Sequence, residues 1–136
     1  VTHQAYLLVK TCNLQRFLTP LQSFMLVLAA LTHDVDHRGT NNAFQRISES
    51  ELAALYSSEG STLERHHLAQ TMCMLTSKGT DILTNLDQFE HYEALSLIRH
   101  VILATDLATH FERISDVQAI VPPRFDRQNT THQLHL

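Results

Sequence analysis

Apolar side chains recur at helical spacing along most of this chain. Over residues 1 to about 12, Ala5, Leu8, Val9 and Cys12 fall on one stripe, which predicts a helix with one inward face. Thr19-Pro20-Leu21-Gln22 reads as a helix start, with Thr19 as cap, Pro20 at the first position and Gln22 closing a capping box. The helix it opens carries eight consecutive apolar residues, Phe24 to Leu31, and is expected to be central and buried nearly all round. A short helix is expected after Asn42 with Phe44 and Ile47 inward. Ser48 or Ser50 then caps another, Glu51 to about Tyr56, which Ser57-Ser58-Glu59-Gly60 breaks. Ser61-Thr62-Leu63-Glu64 repeats the capping-box signature and opens a helix to about Ser77, ended by Gly79. Asp87-Gln88-Phe89-Glu90 starts the longest pattern. Phe89, Tyr92, Leu95, Ile98, Ile102, Leu103, Leu107, Phe111, Ile114 and Val117 hold its period until Pro122-Pro123. At 1.5 Å per residue that is about 45–50 Å if unbroken. Thr131 to Leu136 read as one more helix opening after Asn129.

Composition sharpens this picture. With 136 residues the chain holds one core, and only 3 Gly and 3 Pro beside abundant Leu and Ala point to an all-α, compact multi-helix bundle. The net charge of −4 and the scattered basic residues leave no electrostatic footprint for nucleic acid. The longest apolar run falls far short of a membrane span. Cys12 and Cys73, with no close spacing, suit a reduced intracellular setting. The opening residues read as mid-helix without a cap, and the final helix breaks off soon after it starts. Residues 1–136 are therefore expected to be the central part of one domain, truncated at both ends.

The ten histidines are the compositional oddity, and some of them mark the chemistry. His33-Asp34-Val35-Asp36-His37 puts two imidazoles and two carboxylates in five residues, directly after the apolar run. If the helix continued through them, His33 and His37 would sit at i and i+4 on one face, with Asp34 about 100° round the same turn. Gly39 then lets the chain turn away. Imidazole beside carboxylate suits zinc and its first-row relatives, and carboxylate alone also holds magnesium. One Asp can bridge two ions through its two oxygens, the arrangement used for displacement at phosphorus. A helix end rich in His, Arg and Asn is the plainer reading. Against it, a carboxylate at the end of so apolar a run needs a counter-charge, and no Lys or Arg is nearby until Arg38. Downstream, Glu64, His66 and His67 crowd one turn, although Glu64 also fits a local capping role. Asp106 in mid-helix is locally unfavourable, which hints at a purpose.

Together these motifs resemble the class I cyclic-nucleotide phosphodiesterases. The resemblance rests on His33-Asp34-x-x-His37-x-x-x-x-Asn42, Glu64-Arg65-His66-His67 and Leu103-Ala104-Thr105-Asp106-Leu107, in that order. The runs 36–42, 52–61 and Phe125-Asp126-Arg127-Gln128-Asn129 look most like the cGMP-stimulated, dual-specificity branch. The resemblance implies hydrolysis of the 3′ phosphoester of cAMP or cGMP in signal transduction, by a hydroxide that two divalent cations activate. His33 would ligate zinc, and Asp34 would bind both the zinc and a second ion, magnesium or manganese. His37, Glu64 and Thr105 would hold water around the second ion, and Asn42, His67 and Asp106 would support them. Leu107 would line the nucleotide pocket. A cytoplasmic parent protein, a homodimer with N-terminal regulatory domains and peripheral membrane association also belong to what the family implies.

The family's upstream general-acid histidine and remaining zinc ligand, and its downstream metal Asp and purine-gripping Gln, have no counterpart within these residues. His3 matches none of them. The 136 residues by themselves are therefore expected to be inactive or nearly so. Two other readings of the residues stay open: a broader His-Asp metal phosphohydrolase acting on other nucleotides, and a metal-stabilised helical module without turnover. The first leaves Glu64 and Thr105-Asp106 unexplained. The second conflicts with the oxygen ligands, since structural zinc prefers four closed ligands rich in Cys.

Overall fold

Two capping boxes set where the principal helices begin. In the computed structural model, which describes residues 1–56 and 60–119, the Thr19 hydroxyl accepts from the Gln22 amide and the Gln22 side chain accepts from the Thr19 amide. Asp87 and Glu90 make the same reciprocal pair. These caps open α2 (Pro20–Thr32) and α6 (Gln88–Leu103). The other helices are α1 (Thr2–Thr11), α3 (Asn42–Ile47), α4 (Glu51–Tyr56), α5 (Thr62–Thr76) and α7 (Leu107–Ala119), with a 3₁₀ turn at Leu14–Arg16. No strand occurs among the described residues, and none of their helices is long and apolar enough to cross a membrane. The architecture is all-α.

The core lies between α2, α5 and α6. Met25 and Ala29 of α2 and Ala94, Ile98 and Ile102 of α6 recur at spacings of four and meet without solvent exposure. Leu68 and Leu75 of α5 and Leu83 of the following loop close the cluster. α2 and α6 form the most extensive helix pair, and the alanines on both let the axes approach. The N-terminal helix adds a tie across the fold, where the Thr2 hydroxyl donates to the Ala30 carbonyl at 3.0 Å.

Four features differ from expectation. First, α2 is buried on one face only: Phe24 is 51% exposed and Leu31 63%. Second, α2 stops at Thr32 and His33 is its C-cap, so His33 and His37 do not share a helical face. Residues 33–37 form consecutive turns, with Val35 N–H on the Thr32 carbonyl and His37 N–H on the Asp34 carbonyl, both at 3.1 Å. Asp36 there adopts φ 61°, the left-handed conformation that Asp tolerates better than most residues. Third, α3 turns Gln45 inward and leaves Phe44 and Ile47 exposed. The Gln45 amide donates to the Thr40 hydroxyl at 2.6 Å and accepts from Ser50, and Ser50 in turn caps α4 through the Ala53 amide at 3.1 Å.

Fourth, the long C-terminal pattern is two helices. It breaks at 104–106, where the Asp106 carboxylate accepts from the Ala108 amide at 2.9 Å and so caps α7. Phe89 and Tyr92, part of the same pattern, are 85% and 77% exposed. The expected stop at Pro122-Pro123, the helix over Thr131–Leu136 and the run at 125–129 lie outside the described residues.

Candidate metal centre

The turns after α2 aim imidazoles at Asp34 from two sides. The His33 ring donates from Nδ1 to the Ala30 carbonyl at 2.9 Å, since a carbonyl only accepts. Its Nε2 then lies 3.1 Å from Asp34 Oδ2. His67, on the second turn of α5 and 2% exposed, donates from Nδ1 to the Val35 carbonyl at 2.7 Å. Its Nε2 lies 3.8 Å from Asp34 Oδ1. The two carboxylate oxygens thus face two different imidazoles, and backbone carbonyls orient both rings. That is the outer arrangement histidine ligands commonly have.

His37 differs. Its Nδ1 accepts from the Gly39 amide at 3.1 Å, so the neutral ring carries its hydrogen on Nε2. The ring stacks on His67 with centroids 5.6 Å apart. In this tautomer His37 is a donor suited to water or a ligand oxygen; direct ligation through Nε2 would require release of the Gly39 bond. The ligand atoms of Asp34, His37 and His67 all lie within 4.8 Å of one another. With His33 beside them, this mixed nitrogen and oxygen set fits a divalent cation of the zinc type. Asp34 is itself half open, its side chain 59% exposed, so a further ligand has access.

The first turn of α5 is built in trans. Ser61 has φ 49° and its side chain does not cap α5, so the expected Ser61–Glu64 capping box does not form. Asn42 supplies the cap instead: its Oδ1 accepts from the Leu63 amide and its Nδ2 donates to Glu64, both at 2.8 Å. Ser61 turns to α7 and donates to Asp106 Oδ2 at 2.5 Å. Thr105 is exposed, with its hydroxyl on the Ile102 carbonyl at 2.7 Å, and Leu107 is 73% exposed at the start of α7. The structure therefore brings His33, Asp34, His37 and His67 together, ties Glu64 to Asn42, and leaves Thr105 and Leu107 facing outward.

Asp36 and His66 are additions that the motif reading assigned no role. His66, buried on α5, donates from Nε2 to Asp36 Oδ2 at 2.8 Å, and Arg38 meets the same oxygen at 3.1 Å. The His66 hydrogen bond first, and the Arg38 hydrogen bond second, hold the Asp36 carboxyl below its ordinary range. The crowding of Glu64, His66 and His67 in one turn was the available sequence signal; the partner of His66, thirty residues away, was not legible.

Comparison with known proteins bears on this geometry. Residues 1–136 match a family described as 3′5′-cyclic nucleotide phosphodiesterase. A relative from Drosophila virilis, described as a cGMP-specific 3′,5′-cyclic phosphodiesterase, is 41% identical over 113 residues, covering 83% of this chain and 12% of its own. A relative of the same description from Drosophila melanogaster is 41% identical over 113 residues, covering 83% of this chain and 10% of its own. The chain spans about a tenth of the length of the curated relatives it matches.

Proposed function

The chain belongs to the 3′5′-cyclic nucleotide phosphodiesterase family, and on that premise we propose that the protein containing it hydrolyses the 3′ phosphoester of cGMP or cAMP. One observation carries the reading to this site: Asp34 presents its two oxygens to separate imidazoles, His33 and His67. A carboxylate so placed can bridge two cations.

His33 and Asp34 would hold zinc, and Asp34 would also help to hold magnesium or manganese. Such a pair supplies Lewis acidity, making water a better nucleophile and offsetting phosphodiester charge. The chain's own residues do the positioning. His37 offers an Nε2–H donor and Glu64 a carboxylate acceptor to orient water, and Thr105 would join them by turning its hydroxyl away from the Ile102 carbonyl. Asn42 fixes Glu64, and the Val35 carbonyl fixes the His67 ring. Asp106 supports Thr105 by capping α7, and Leu107 offers apolar surface to the nucleotide.

The relatives are described as cGMP-specific, whereas the motifs resemble the dual-specificity branch, so both cyclic nucleotides enter the test. A cytoplasmic setting, a homodimeric parent with N-terminal regulatory domains and these residues as one part of a larger catalytic domain belong to the same proposal, supported by family membership. The test assays the full-length protein with magnesium against cGMP, cAMP and nucleoside triphosphates. Turnover confined to cyclic nucleotides and lost in Asp34→Asn is expected. Turnover of triphosphates alone, or full activity in Asp34→Asn, would overturn it.

A further inference from the structure

The Ser61–Asp106 contact joins two segments that the proposed reaction uses, across 45 residues of sequence. Ser61 stands directly before α5, one residue short of the turn bearing Glu64 and two turns from His67. Asp106 stands directly after Thr105. Asp106 is 7% exposed, and its carboxylate takes one hydrogen bond from the Ser61 hydroxyl and one from the Ala108 amide. A buried carboxylate depends on such donors, because burial removes the water that would otherwise satisfy it.

The Ser61 backbone adds a second observation. At φ 49° it occupies the left-handed region, where Gly would be relaxed and Ser is not. The Ser61 amide precedes the cap that Asn42 provides, so its hydroxyl is not needed to begin α5. The side chain instead points to the start of another helix.

We propose that Ser61 is a positioning residue. Its hydroxyl clasps Asp106 and thereby sets the Thr105 step of the α6–α7 break against the first turn of α5. The inference rests on the proposed phosphodiesterase activity for its kinetic consequence, but not for its structural one.

The test uses the full-length protein and two variants that both remove the hydroxyl, Ser61→Gly and Ser61→Ala. Gly also relaxes the left-handed backbone, whereas Ala keeps its strain. Hydrogen exchange at the 107–109 amides should rise in both variants. If cyclic nucleotides are turned over, kcat should fall by about 10–100-fold in both, the magnitude typical of lost supporting hydrogen bonds. KM should change little, and more magnesium should be needed for half-maximal rate. A purely backbone role would instead leave Ser61→Gly near the parent in every readout, and that result overturns the proposal. So does unchanged exchange at 107–109. An inactive parent whose exchange still rises in the variants would sink the phosphodiesterase reading and leave the clasp standing.

Discussion

Asn42 does two jobs with one amide, capping α5 through Leu63 and holding Glu64. Asn42→Ala should therefore destabilise the fold by about 1–2 kcal/mol, read as a lower urea midpoint, because it removes a cap and frees a half-buried carboxylate. A change of midpoint within error would show that the α5 turn is held some other way. Asp36 offers a pH test with a fixed sign. Its carboxyl titrates below the ordinary range in the folded chain, through His66 and then Arg38, so its stabilisation is present above the unfolded pKa. Asp36→Asn should be less stable than the parent at neutral pH. The gap should close as pH falls below about 4 and passes through the folded pKa. A gap that widens in acid contradicts the assignment.

Between elements, the contact of α2 with α6 dominates, and its side chains are sized for close approach. Ile98, fully buried against Met25 and Ala29, should lose about 2–5 kcal/mol as Ile98→Ala, from lost transfer energy and the residual cavity. Ala94→Leu should destabilise by about 1–3 kcal/mol by forcing the helices apart, which chemical denaturation can measure. Indifference at both positions would mean that the core lies elsewhere. Helix starts at Thr19 and Asp87 were legible because each box closes within four residues. The Ser61–Glu64 signature misled for the opposite reason: Asn42, twenty-one residues upstream, takes the amide that a local cap would have taken. The break at 104–106 was hinted at by Asp106, whose poor fit to a helix interior becomes a good fit as a cap.

At the scale of the molecule, folding and cation binding should be linked, since Asp34, His33, His37 and His67 come from a turn and a helix that only the folded chain brings together. Manganese at a hundredfold excess over its dissociation constant should raise unfolding stability by about 2.7 kcal/mol, and a thermal scan reads the shift. Asp34→Asn should abolish it. A shift that survives this substitution would locate the cation elsewhere.

Residue order alone determined the all-helical class, most helix starts and the histidine–aspartate motif, since caps, apolar periods and adjacent ligands all act within about one turn. It also carried the family resemblance. Only the tertiary structure decided that α2 ends before the motif, that Gln45 rather than Phe44 turns inward, and that His67, His66 and Ser61 meet Asp34, Asp36 and Asp106. The inward turn of Gln45 and the three side-chain meetings each depend on a partner between five and forty-five residues away. A hydrogen bond across that distance is chosen by which surfaces the packed helices bring together, and no local pattern contains that information.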